Sequence, residues 1–328
     1  MPVFDNHGRP ITYLRLAVTD RCNLRCFYCM PEDGIKYLPK KQLLSYEEME
    51  RLVRVLASMG IKKVRITGGE PFVRHDLVPF MYRLAAIDGV EEIALTTNGI
   101  LTGQYIHDLK AIGVKSINLS MDTLDRQRFF EITRRDEFVK VERCMYELLD
   151  SGFEVKINAV VMEGKNTQDI LPMVALTRDY PVAVRFIEEM PFNGEGSHYP
   201  QLHWTYRRIL DEIRSQYPEL QKLTDEPHST SYNYRVPQHQ GTIGVIAAFT
   251  RSFCGSCNRI RITAQGVLKT CLYDNGVLQL RDLLRTNISD EGLQDVLQQT
   301  LQRRPKDGYE AESLRGSLVT ESMTTIGG

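Results

Sequence analysis

Along the first 190 residues, six short stretches alternate apolar and polar positions or run continuously apolar: TYLRLAV (12–18), KKVRITG (62–68), EEIALTT (91–97), KSINLSM (115–121), EVKINAVV (154–161) and PVAVRFIEE (181–189). A period of two over so few residues is the mark of a strand. Helical patterns fill the gaps. In SYEEMERLVRVLASMG, Ser45 and Glu48 are spaced as a capping box, Met49, Leu52, Val53, Leu56 and Met59 share one face, and Gly60 ends the run. EFVKVERCMYELLDSG repeats the design with Phe138, Val141, Met145 and Leu148 inward and Gly152 as the stop. Strand and helix in alternation predict an α/β fold with a parallel sheet and right-handed crossovers. About six such units fit an incomplete (β/α)6-type TIM barrel, two strands short of closure and open on one side.

Two polar stretches then interrupt the rhythm, PFNGEGSHYPQ (191–201) and TDEPHSTSYNYRVPQHQG (224–241), with a helical pattern at 204–217 between them. Short strand patterns follow at 242–249, 259–263 and 267–271, and helical ones in LQLRDLLR and SDEGLQDVLQQTLQR. The expected organisation is a partial barrel over residues 1–221 and a smaller module over 222–328.

Composition adds exclusions. The 328 residues carry a net charge of −1, with 42% hydrophobic and 25% charged positions. No global basic field draws such a chain to nucleic acid or anionic lipid, so any polyanion must be met by a local cluster of Arg and Lys. The N-terminus has no apolar signal core and no run reaches membrane-spanning length, which makes the cytoplasm the expected compartment. Cysteine usage changes the picture more. Cys22, Cys26 and Cys29 form one set, Cys254, Cys257 and Cys271 another, and Cys144 sits alone on an apolar helix face, where a buried structural role is expected. Clustered thiols in a reducing compartment point to metal or redox chemistry.

In parallel α/β barrels the chemistry gathers where the strands end. Here the first strand is followed by the three cysteines, the second by GGEP (68–71) and the third by TTNG (96–99). The fourth ends in Ser120 and Asp122 and the sixth in EEM (188–190). Three thiolates leave one iron of a cubane cluster open to a small molecule; a zinc site completed by His7 or His75 is the alternative. The C-x3-C-x2-C loop after the first strand, with Tyr28 before its last cysteine and GGEP after the second strand, resembles the radical S-adenosylmethionine superfamily. That resemblance implies a [4Fe–4S] cluster on Cys22, Cys26 and Cys29, and an S-adenosylmethionine site lined by Tyr28, Gly69, Ser120 and Met190. Taken alone, Met190 reads equally well as core packing. The second cysteine set alone reads as a redox pair or half a zinc ribbon; beside a radical loop it reads as an auxiliary [4Fe–4S] cluster, the second of two, again with an open iron.

Strand alternation also sends Arg15, Arg65, Lys156, Arg259 and Arg261 to one side of each pleat. Singly, each reads as solvated or salt-bridged. Turned together into one lumen they would repel unless an anion neutralised them; S-adenosylmethionine, a sulfonium cation, cannot, whereas a polyphosphate can. VTDRCNLRCFYCMPEDG, VRITGGEPFVR, LTTNG, RFIEEM, SFCGSCNRIRIT and the terminal IGG together resemble the GTP 3′,8-cyclases of molybdenum-cofactor biosynthesis. The resemblance implies that Arg15, Arg65, Thr96, Lys156, Arg259, Ile260 and Arg261 contact GTP, and that the tail Gly327–Gly328 reaches into the active site. It further implies a homodimer, and a product passed to a cyclic pyranopterin monophosphate synthase. A peptide-modifying maturase and a zinc or electron-transfer protein are the competing readings; the first lacks the extra cysteines usual in such enzymes, and the second leaves the inward cations unexplained. Which protein donates electrons is not legible.

Overall fold

The computed structural model describes residues 2–192, 194, 201–317 and 321–327; most of the polar stretch 191–201 and the terminal Gly328 lie outside them. Among the described residues, eight strands run parallel: β1 (Tyr13–Ala17), β2 (Lys63–Thr67), β3 (Glu92–Thr97), β4 (Ser116–Ser120), β5 (Glu154–Val161), β6 (Ala183–Glu188), β7 (Thr242–Ile246) and β8 (Arg259–Ile262). Their order is β8-β1-β2-β3-β4-β5-β6-β7. Antiparallel strands flank both ends: Val267–Lys269 and Leu278–Gln279 beyond β8, Ser231–Arg235 and Gln221–Lys222 beyond β7. The sheet is open, and it is α/β with mostly parallel strands.

The six strands expected from the pattern are present, and the chain beyond residue 222 adds β7 to one edge and β8 to the other of the same sheet. Residues on both sides of 221/222 therefore share one sheet. Alternate residues of the parallel strands are buried outward: Leu14 and Leu16 on β1, Val64 and Ile66 on β2, Val184 and Phe186 on β6, Ile260 and Ile262 on β8 are at most 1% exposed. Against them pack the helices, among them Tyr46–Ser58 with Met49, Leu52, Val53 and Leu56, and Phe138–Asp150 with Val141, Cys144, Met145 and Leu148. Each such side chain contributes about 1.5–3 kcal/mol on burial. The capping box of the first helix forms: Glu48 N donates to Ser45 Oγ at 3.2 Å and Ser45 N to Glu48 Oε2 at 2.7 Å.

Two buried carboxylates tie the strand ends together. Glu70 accepts from Asn98 N at 2.7 Å, Thr97 Oγ1 at 2.9 Å and Phe72 N at 3.2 Å, joining the loops after β2 and β3. Glu188 accepts from Tyr206 N at 2.7 Å, Phe249 N at 2.9 Å and Thr250 N at 2.8 Å, joining the loop after β7 to β6. The GGE turn itself pairs with the loop after β1: Gly69 N donates to Thr19 O at 2.9 Å and Glu70 N to Arg21 O at 2.8 Å. At Gly69 an added Cβ would lie 2.3 Å from Arg21 O, inside the wall of the cysteine loop.

Replacing Glu188 by Ala strands three backbone donors, and should cost about 3 kcal/mol in urea unfolding; a change below about 0.5 kcal/mol would deny the tie. Gly69→Ala should cost about 1–3 kcal/mol through overpacking against backbone. The matched control Gly255→Ala, where nothing lies within 4 Å of the new Cβ, should unfold with the parent to within about 0.5 kcal/mol.

Candidate functional site

The opposite face of the sheet encloses a cavity of about 770 Å³, within the span of roughly 300–1,000 Å³ common for small-molecule sites. Residues from all eight parallel strands line it, so the sheet bends around one space. Both cysteine sets open onto it, as do Tyr28, Gly69, Ser120, Met190, Arg15, Arg65, Thr96, Lys156, Arg259 and Arg261. Ile260 does not: its side chain points outward into the core, 0% exposed, leaving only its backbone near the cavity. Alternation on β8 requires this, since its two arginines take the inner face.

Strand register sets the cations side by side. Arg15 is opposite Arg261 on one neighbour and Arg65 on the other, while Tyr13 is opposite Arg259 and Lys63. Asn118 is opposite Thr96 and Lys156, and Asn158 is opposite Ser120 and Arg185. Among the described residues none of Arg15, Arg65, Arg185, Arg259 and Arg261 has a carboxylate partner. Arg65 donates to the Tyr13 hydroxyl and, at 2.9 Å, to Leu95 O; Arg259 donates to His228 O; Arg261 donates to Gly327 O at 2.9 Å. Lys156 meets Glu154 at 3.5 Å. Burial, together with the neighbouring guanidinium groups, pushes Arg15 well below the usual arginine range and Arg185 down to about 10. Burial also opposes ionisation of Tyr13, yet the cations around it, Arg65 and Arg15 first, outweigh this and hold its phenol down at about 7.

Several buried polar atoms facing the cavity have no partner: Arg15 Nε, Arg185 Nε, Thr96 Oγ1, Asn118 Oδ1 and Asn158 Oδ1. Buried polar groups are normally satisfied. A wall of orphaned donors and acceptors around uncompensated arginines is built for a polar anion. Thr96 had no independent signal in the sequence, and its orphaned hydroxyl now supplies one. Arg185, Asn118 and Asn158 were missed; all three obey the alternation that revealed Arg65, and Arg185 sits between Val184 and Phe186 as plainly as Arg15 sits between leucines.

The first cysteine set lies on the loop after β1. Burial raises all three thiols, Cys22 to about 11 and Cys26 and Cys29 further, and each of the latter two is raised again by a neighbouring cysteine and by Asp122. Asn98 Nδ2 reaches Cys22 Sγ at 3.7 Å, and Tyr28 donates to Asp122 Oδ2 at 2.7 Å. In the second set burial raises Cys271 to about 12 and Cys254 less, whereas Arg304 and Arg259 overcome burial and draw Cys257 below its ordinary value. All six thiols are half-buried and open onto the one cavity, three in each set, and soft thiolate donors in threes fit an iron–sulfur cluster. Among the described residues no three His, Cys, Asp or Glu side chains are grouped to hold a single ion. A cubane asks for wider spacing, because each thiolate takes a different iron. His7, once an alternative ligand, instead meets Arg304 O at 3.0 Å.

Met190 lines the cavity while packing with Phe192, Tyr273, Ala311 and Ile326. The tail enters as well. Ser322 Oγ donates to Cys29 O, Met323 N donates to Phe192 O at 2.9 Å, and Gly327 lies against Ala17 and Thr67, where a Cβ would come within 3.0 Å of each. Cys144 is buried on its helix, 2% exposed.

Residues 16–177 match the Radical SAM superfamily model and residues 182–310 match Molybdenum Cofactor Synthesis C. The chain is 41% identical over 330 aligned positions to GTP 3′,8-cyclase of Geobacter sulfurreducens, covering 100% of both. It is 42% identical over 303 positions to molybdenum cofactor biosynthesis protein 1 of Bos taurus, covering 92% of this chain and 48% of that one; it spans about half the length of that curated relative. Streptococcus suis SuiB shares the fold, with a TM-score of 0.63 and 14% identity over 94% of this chain and 69% of that one. End-to-end similarity to a named cyclase, joined to both family matches, places this chain in the GTP 3′,8-cyclase family of the radical S-adenosylmethionine superfamily.

Proposed function

We propose that this chain converts GTP into 3′,8-cyclo-7,8-dihydroguanosine 5′-triphosphate, an early step of molybdenum-cofactor biosynthesis. The observation that carries the reading is the row Arg261–Arg15–Arg65 facing, without a carboxylate, the same cavity as two cysteine triads. Membership of the superfamily brings a [4Fe–4S] cluster and S-adenosylmethionine with it. Cys22, Cys26 and Cys29 hold that cluster, and Cys254, Cys257 and Cys271 hold a second, in a working unit formed by residues 222–328 against a partial barrel.

Bound there, the first cluster and S-adenosylmethionine would supply a 5′-deoxyadenosyl radical, able to remove the 3′ hydrogen of GTP so that C3′ joins C8, with one electron from an external reductant and one proton completing the 7,8-dihydro ring. The chain's own residues do the rest. Arg15, Arg65, Lys156, Arg185, Arg259 and Arg261 take the triphosphate, which replaces mutual repulsion by charge-assisted hydrogen bonds. Thr96, Asn118 and Asn158 give the orphaned oxygens that orient ribose or base. Tyr28, fixed by Asp122, and Gly69, with Ser120 and Met190, shape the S-adenosylmethionine side; Gly69 has no side chain to fend off a ligand's ammonium group. The tail at Gly327 closes the space between Ala17 and Thr67 and keeps water from the radical. Among the described residues no helix is long and apolar enough to cross a membrane. Homodimer formation and transfer of the product to a cyclic pyranopterin monophosphate synthase belong to the same reading and rest on family membership alone.

Anaerobic turnover with GTP deuterated at C3′ should place the label in 5′-deoxyadenosine; label that stays in the nucleotide would reject the cyclase. Arg185→Ala should weaken GTP binding about 10-fold or more, the worth of a charge-assisted bond, while iron content stays that of the parent. Unaltered affinity would remove Arg185 from the triphosphate site.

A further inference from the structure

Arg304, in the turn between the helices Asp290–Leu301 and Gly308–Arg315, borders the cavity, yet it is only 3% exposed and has no donor left for a ligand. Its Nε donates to Thr270 O at 2.9 Å. Nη1 donates to Cys257 O at 2.8 Å and to Asp5 Oδ2 at 3.3 Å, and Nη2 to Arg259 O at 2.9 Å and to Cys257 Sγ at 3.1 Å. Five N–H groups meet five acceptors, and one of these is a thiol sulfur. The guanidinium thus spans the strand that follows Cys257 and the residue that precedes Cys271.

A second arginine makes this arrangement rigid. Arg9 Nε donates to Asp5 Oδ2 at 2.6 Å, and its terminal nitrogens donate to Cys254 O at 3.2 Å, Pro305 O at 2.8 Å and Lys306 O at 2.6 Å. Asp5, whose side chain is 0% exposed, also accepts from the backbone N–H groups of His7 and Arg9, each at 2.9 Å. Residues 5–9, at the far end of the chain, therefore brace the second cysteine set from behind, and Arg304 is held with one N–H aimed at Cys257.

We propose that Arg304 is a positioning and tuning residue for the second [4Fe–4S] cluster, making its reduction potential less negative through the Cys257 sulfur. This rests on the reading of Cys254, Cys257 and Cys271 as ligands of that cluster. A hydrogen bond and a fixed positive charge at a ligating sulfur withdraw electron density and favour the reduced form. Arg15, Arg65, Arg185, Arg259 and Arg261 have no carboxylate partner among the described residues and can turn to an anion; Arg304, fully spent on protein, keeps its effect throughout turnover.

The test uses the full-length chain with Cys22, Cys26 and Cys29 all changed to Ala, so that only the second set can hold a cluster. After anaerobic reconstitution the midpoint potential is read by EPR-monitored redox titration, with iron counted on the same sample. In that background Arg304→Gln should move the potential to more negative values while about four irons per chain remain. An unmoved potential with iron retained overturns the proposal. If Arg304→Gln sheds iron, Arg304→Lys takes its place: it keeps the charge but not the five-donor fork, and a smaller negative shift is expected, an unmoved potential again being contrary. Should the parent with Arg304 intact take up no cluster, the ligand assignment itself fails, and the tuning role with it.

Discussion

Like charges in a dry space are the constraint on which this molecule is built. Arg261, Arg15 and Arg65 stand on adjacent strands in register, and adjacent strands run about 4.8 Å apart. At that spacing two guanidinium charges repel by about 3 kcal/mol even at an effective dielectric near 20. Among the described residues no carboxylate lies within ion-pair reach of them, and their hydrogen bonds go to the Tyr13 hydroxyl and backbone carbonyls. The apolar core on the outer face of the same strands absorbs this cost. A triphosphate removes it, so binding energy is stored in the unliganded fold and released where the substrate must be fixed.

Placement of the thiols follows from the same sheet. Parallel strands all end on one rim, which brings the cysteine loop after β1, the glycine turn after β2 and the Ser120–Asp122 corner after β4 to one end of the cavity. Gly69 and Glu70 make that convergence specific: one lets two loops touch backbone to backbone, the other ties the second loop to the third. The second triad arrives differently. It flanks β8, which joins the edge of β1, and it is braced by Asp5, Arg9 and Arg304. The tail links the two regions, with Ser322 on Cys29 and Gly327 on Arg261.

Much of this was legible beforehand, because alternation in a strand is a local property. Leu14 and Leu16 around Arg15, or Val64 and Ile66 around Arg65, announce both the strand and the odd inward cation. The same rule applied to VRF would have found Arg185. What stayed hidden depends on distant pairings. The stretches holding β7 and β8 read as a separate module because long polar loops, in place of regular βα crossovers, precede them; only the register shows that they lie beside β6 and β1. Alternation sets Asn158 on the face of Lys156, but neither it nor Asn118 carries a charge to mark it as a ligand contact. Asp5 and Arg304 lie 299 positions apart, and no spacing rule connects them. Ile260 was named with its neighbours as a contact, although alternation alone sends its side chain to the core.

The most direct measurement of the claim that stored cationic repulsion selects the substrate is an anaerobic calorimetric titration with GTP, GDP, GMP and guanosine at two salt concentrations. Stored repulsion predicts that affinity falls with each phosphate removed and that raised salt weakens GTP most. Guanosine binding as tightly as GTP, with no dependence on salt, would contradict it.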